Sequence, residues 1–101
     1  EAIFATSDEQ ALAALRAAAE LGIKVPDEIA VVGFDGIREA LFGSQRLTTV
    51  SLPLRDLAAK AFNRLDQAGD RSSGRDRLQG VLVIGETCGA PVAGAKQRQD
   101  V

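Results

Sequence analysis

Two places in this chain could do chemistry, and each stands where an apolar stretch ends. Asp35 follows the run at 29–34 (IAVVGF), and Ser7 and Asp8 follow the run at 2–6 (AIFAT). A carboxylate at the carboxyl end of a buried strand can accept hydrogen bonds from two sugar hydroxyls or from a nucleobase N–H. Open α/β sheets keep their ligand crevices at that end of their strands. A second reading of Asp35 stands beside this one. An aspartate ahead of Gly36 can cap the helix that follows, and one side chain can do both. Ser7 likewise either reaches a ligand or caps a helix. With Gln10 three residues on it matches a capping box, in which each side chain satisfies the other residue's backbone N–H. Asp8 reads as support for that helix start.

The elements needed to hold these positions are visible in the spacing. Residues 2–6 are short, apolar and β-capable. Ala11, Leu12, Leu15, Ala18 and Ala19 then recur at helical spacing, with Gly22 as the stop and Pro26 as a bar to continuation. The run at 29–34 shows no alternation, as expected of a strand covered on both faces in a parallel sheet. Asp35 and Gly36 turn the chain into a short helix over 37–42, broken by Gly43 and Ser44, and 47–52 is β-branched and strand-like. Pro53 suits the first turn of another helix. Leu54, Leu57, Ala58, Ala61, Phe62 and Leu65 form its apolar stripe. After a polar loop, 81–84 (VLVI) reads as the last strand, and periodicity is lost from 89 to 101. The alternation β-α-β-α-β-α-β predicts an α/β fold with a parallel sheet flanked by helices.

Composition narrows the function classes. The 101 residues suffice for one small domain, and 46% are hydrophobic, enough for a buried core. With four Phe and neither Trp nor Tyr, that core has little aromatic area, so modest stability is expected of the chain alone. A net charge of −2 gives no basic face for phosphates, and the mixed-sign segment 66–77 reads as a solvated loop. There is no His, the commonest general base, and the lone Cys88 excludes an internal disulfide or a cysteine zinc site. Gly33-Phe34-Asp35-Gly36 is neither a dinucleotide fingerprint nor a phosphate loop. Neither an enzyme nor a bound cofactor is expected. No apolar run approaches a membrane span, no signal-peptide pattern opens the chain, and a single thiol fits a reducing compartment. The sequence starts at Glu1 and has no Met, so a piece of a longer or processed chain is expected.

Taken in order, TSDEQALAALRAAAELGIKVPDEIAVVGFDG, LTTVSLPLRDLAAKAF and GVLVIGET make residues 2–87 similar to the lac-repressor and purine-repressor family of bacterial transcription regulators. The resemblance implies the C-terminal part of a two-lobed effector-binding domain, of the type I periplasmic-binding-protein-like architecture. Residues 1–51 would then lie in the C-terminal lobe, 52–88 would cross to the N-terminal lobe as a helix plus a strand, and 89–101 would be a flexible tail. It implies a cytoplasmic homodimer that binds a small metabolite, a sugar or related compound, and meets operator DNA only through an N-terminal domain outside this sequence. The matching effector contacts are Asp35, Ser7 and Leu52. Leu52 replaces a polar residue common in relatives, which fits either a less polar effector or plain packing. Leu12, Leu15 and Phe42 match the helices through which the family pairs its C-terminal lobes, although apolar residues at helical spacing also serve as ordinary core. A periplasmic solute-binding protein that delivers a sugar to a transporter would share the lobes and is the rival reading.

Overall fold

The computed structural model describes residues 1–67 and 74–91, and the backbone of 98–100. The order is β1 (Ala2–Phe4), α1 (Asp8–Glu20), β2 (Ala30–Asp35), a 3-10 helix (Arg38–Leu41), β3 (Thr48–Ser51), α2 (Leu54–Asp66), β4 (Val81–Val83) and β5 (Arg98–Asp100). Part of the mixed-charge loop, 68–73, and of the tail, 92–97 and 101, lies outside the described residues.

One sheet holds all five strands in the order β1-β2-β3-β4-β5. β1, β2 and β3 run parallel, with Ile3 opposite Val31 and Phe34 opposite Val50. β4 departs from the all-parallel expectation: it runs antiparallel to β3, with Val50 opposite Leu82. A fifth strand then pairs antiparallel with β4, in a stretch whose sequence shows no period. The direction of β4 follows from its connection. The chain leaves β3 at its carboxyl end, forms α2, and comes back at Gly80 beside that same end. A methyl group on Gly80 would lie 3.9 Å from Leu52 Cδ2.

α1 starts and stops as its sequence dictates. Ser7 is its N-cap, and Asp8 and Glu9 set negative charge against the helix N-terminus. Gly22, at φ +69, ends it in a Schellman turn: the Ile23 N–H donates to the Ala18 carbonyl at 2.8 Å and the Gly22 N–H to Ala19 at 3.3 Å. The core lies between α1, one sheet face and the 3-10 helix. Ala5, Ala11, Val31, Ala40 and Leu47 are buried there, with Ala14, Leu15, Val25 and Ile37 packed around them.

The opposite sheet face differs from the expectation of cover on both sides. Val31 and Gly33 point to α1, so Val32 and Phe34 point away, together with Phe4 and Val50 by register. None of these four is buried, and no described helix packs over them. α2 is bare as well, with Leu54, Leu57, Phe62 and Leu65 all exposed.

The amino ends of β2 and β3 are tied by the segment after β4. Thr87, fully buried, donates its hydroxyl to the Val31 carbonyl (2.6 Å) and accepts the Thr48 N–H (3.0 Å). Its own carbonyl accepts the Val31 N–H at 2.7 Å. Beside it the Gly85 N–H donates to Thr48 Oγ1 (3.0 Å), and Arg46 and Glu86 exchange backbone and side-chain bonds. Thr87 thus extends the β2–β3 ladder with a hydroxyl where the strands part.

Candidate functional site

Because β1, β2 and β3 are parallel, their carboxyl ends share one edge of the sheet. That edge carries Ser7 and Asp8, then Asp35 and Gly36, then Ser51 and Leu52. The topology therefore brings Asp35, Ser7 and Leu52 to one end of the molecule. Asp35 is in register with Ser51, and its carbonyl accepts the Leu52 N–H at 3.1 Å. The turn then presses on β3 so closely that a Cβ on Gly36 would sit 2.5 Å from Ser51 Cα. Gly36, at φ +78, meets both that constraint and the left-handed backbone.

Asp35 itself has φ 126, in a region where non-glycine residues cost on the order of 1–3 kcal/mol. Its carboxylate makes no hydrogen bond within the described residues, and the side chain is half-buried. The reading of Asp35 as a helix cap does not hold. Ile37, not Asp35, precedes the 3-10 helix, and no side chain caps it from that position. The amides that a cap would satisfy are already taken by Asp8. Asp8 Oδ2 accepts the Gly36 N–H and the Ile37 N–H at 2.8 Å each, and Oδ1 accepts the Thr49 hydroxyl.

Asp8 is fully buried at the first residue of α1. Burying a carboxylate is expensive unless donors replace its water, and here three donors and a helix N-terminus do so. Gly33 makes room for it: a Cβ there would collide with Asp8 Oδ1 and lie 2.9 Å from Leu47 Cδ2. The sequence reading gave Asp8 a purely local role. The partners that define it stand far along the chain, and a serine–aspartate pair opening a helix signals only the local part.

Ser7 Oγ accepts the Gln10 N–H at 3.3 Å, so half of the predicted capping box forms. The other half does not, because Gln10 Oε1 accepts the Thr6 hydroxyl at 2.9 Å instead of turning back to Ser7. Leu52 is half-buried against Gly80, at the point where the chain leaves and rejoins the sheet.

Leu12 and Leu15 stand elsewhere, on α1, and Phe42 ends the 3-10 helix. Leu12 and Leu15 line a cavity of about 260 Å³ with Arg16, Ile23 and Gln45, while Phe42 is 75% exposed. Leu15 also packs on the core, so it has a structural role as well. On the open sheet face, Phe4, Thr6 and Phe34 line an apolar recess of about 270 Å³. Among the described residues no group of three or more acidic or cysteine side chains converges to hold a metal. No described helix is long and apolar enough to cross a membrane.

The family model described as periplasmic binding protein-like domain matches residues 1–88. The chain is 38% identical over 94 residues to the transcriptional repressor MelR of Bacillus subtilis, covering 88% of this chain and 26% of that protein. It is 42% identical over 64 residues to the transcriptional repressor PurR of Salmonella typhi, covering 63% of this chain and 19% of the other. Among solved structures, the lac repressor dimer bound to operator and the anti-inducer ONPF superimposes with a TM-score of 0.79 at 32% identity, over 86% of this chain and 31% of that one. A LacI family transcriptional regulator from Lactobacillus casei with bound sucrose gives 0.73 at 33% identity, over 86% and 33%. The chain thus spans a fifth to a quarter of these curated relatives and about a third of the solved chains. With its three parallel strands, its flanking helices and its match along residues 1–88, the chain belongs to the periplasmic binding protein-like domain family, in the branch formed by the lac-repressor and purine-repressor type of regulator.

Proposed function

We propose that this chain is the C-terminal part of the effector-binding domain of a transcription regulator, and that it grips a small metabolite at the shared carboxyl ends of β1, β2 and β3. The observation that carries this reading is Asp35. Its carboxylate stands at the carboxyl edge of the parallel strands on a strained backbone, with no hydrogen-bond partner among the described residues, while a different aspartate caps the turn beside it. Strain held in place at an unpartnered polar group is a signature of a ligand contact. Ser7 and Leu52 flank it, one polar and one apolar, so the effector presents hydroxyl or N–H groups to Asp35 and a less polar edge to Leu52. The L. casei relative with bound sucrose makes a sugar the first class to test. The named relatives are repressors, which supports reading the chain as part of a cytoplasmic, non-catalytic regulator rather than a solute carrier.

The lobe arrangement follows. Residues 1–51 form one lobe's sheet and its covering helix. Leu52 and Gly80 mark two adjacent crossings, and α2 belongs to the second lobe, which supplies the cover its apolar stripe lacks. β4, paired with β3, stays with the first lobe. Leu12, Leu15 and Phe42 form part of a homodimer contact on the α1 flank. DNA is met through a separate domain, and effector binding shifts operator affinity by about 5–150-fold through lobe closure.

The test uses the full-length regulator and isothermal calorimetry with sucrose, glucose and hypoxanthine. Asp35→Ala is expected to weaken binding of whichever compound the wild type takes by about a hundredfold, since it removes charge-assisted hydrogen bonds. An Asp35→Ala protein that binds as tightly as the wild type overturns the reading.

A further inference from the structure

We infer that Asp8 is a positioning residue for the effector site: it caps the turn after β2 and so leaves the Asp35 carboxylate free for ligand. The inference rests on the proposed function above. Three strand tips converge on this one buried carboxylate. It begins α1 after β1, holds both turn amides after β2 through Oδ2, and takes the Thr49 hydroxyl from β3 through Oδ1. The turn cannot fasten itself, because no side chain caps the 3-10 helix from Ile37. Without Asp8, the Gly36 and Ile37 amides lose their acceptor, and the Asp35 carboxylate is the nearest acidic group in sequence to take its place. Asp35 would then serve as the cap instead of standing free for ligand. The bond pattern also fixes the backbone: Gly36 wedged against Ser51 and Asp35 at φ 126 are held between the Asp8 anchor and the Asp35–Leu52 ladder bond. The neighbouring carboxylates Glu9 and Glu39 are exposed, and Arg38 has no acceptor to offer, so Asp8 alone takes these amides among the described residues.

The experiment is residue-resolved amide exchange on the full-length regulator, wild type against Asp8→Ala and Asp8→Asn, with sucrose, glucose and hypoxanthine titrated in parallel. Asp8→Ala is expected to speed exchange at Gly36 and Ile37 about tenfold or more relative to Val31 and Leu47 in the core, and to weaken ligand binding by a similar factor. Asp8→Asn keeps an oxygen for the two amides and is expected to restore most of both. If Asp8→Ala does not fold, Asp8→Asn decides alone: with the oxygen kept and the charge lost, a small rise confined to Gly36 and Ile37 is expected, and no rise there overturns the inference. Exchange that is unchanged at those amides, or raised equally throughout the core, overturns the inference. A selective rise at the turn with unaltered ligand affinity also overturns it. A wild type that binds none of the three compounds speaks against the effector reading, while the exchange data still judge whether Asp8 holds the turn.

Discussion

Gly33 and Gly22 set a scale for what single atoms cost in this domain. At Gly33 an added methyl meets Asp8 Oδ1, Leu47 at 2.9 Å and Ala11 at 3.2 Å, all on the buried side of the sheet. At Gly22 it meets nothing within 4 Å, and only the φ of +69 resists it. Gly33→Ala should therefore destabilise the domain by about 3 kcal/mol through overpacking around a buried charge, against about 1 kcal/mol for Gly22→Ala. Urea denaturation of the full-length protein checks the order, and equal costs would show that the Asp8 pocket can relax. The same pair shows what sequence can disclose at this scale. Gly22 is legible, because a glycine after a helical stripe and before a proline has a local meaning. Gly33 sits inside an apolar run, and its reason is a carboxylate on another element. Asp35 was legible by place, at the end of a buried strand. That it is no cap could be seen only once Asp8 was found holding the Gly36 and Ile37 amides.

Among the elements, those with strong local periods match their sequence signals, from α1 with its cap and Schellman stop to the apolar run that became β2. What local pattern cannot carry is direction. A three-residue strand such as β4 reads alike in either sense, and its antiparallel pairing is set by a chain that returns beside Leu52. Thr87 has no periodic signal either, yet it joins β2 to β3. Thr87→Val keeps the shape and removes the hydroxyl, leaving the Thr48 N–H unpaired in a buried site. A loss of about 2 kcal/mol is expected by thermal or chemical unfolding, and a neutral substitution would show that another acceptor takes its place. Beyond the sheet, α2 is tied to the following loop by charge. The Arg64 guanidinium donates to Asp76 at 2.9 Å, and through that bond and its charge it holds the Asp76 carboxyl below the ordinary aspartate range; Lys60 adds to this. A lowered carboxyl pKa favours the folded arrangement at pH above the unfolded aspartate value, and the benefit is lost as pH falls through the folded value. Carbon-detected NMR titration should find Asp76 titrating below a free aspartate, and Arg64→Ala should return it to the ordinary range. The tie is exposed, so global stability should hardly register it.

On the scale of the whole molecule, two apolar surfaces lack cover among the described residues: the α2 stripe, and the sheet face bearing Phe4, Val32, Phe34 and Val50. Phe4, Phe42 and Phe62 are 63%, 75% and 72% exposed, and Phe34 is only half-buried, so the chain's aromatic area lies almost wholly outside its own core. A 13-residue helix without packing is marginal in water. In the 101-residue chain, Phe62→Ala should then change stability by less than about 0.5 kcal/mol, whereas Leu47→Ala, at a fully buried core position, should cost about 3 kcal/mol. In the full-length regulator the two should converge, with Phe62→Ala rising to about 3 kcal/mol as α2 packs into the second lobe. The comparison separates a helix that merely lies on the surface from one that belongs to a neighbouring lobe. The surface alternative leaves Phe62→Ala near zero in both proteins. Denaturant unfolding of the four variants decides between them, and a near-zero cost for Phe62 in the long chain would remove α2 from the second lobe and, with it, the two crossings beside Asp35.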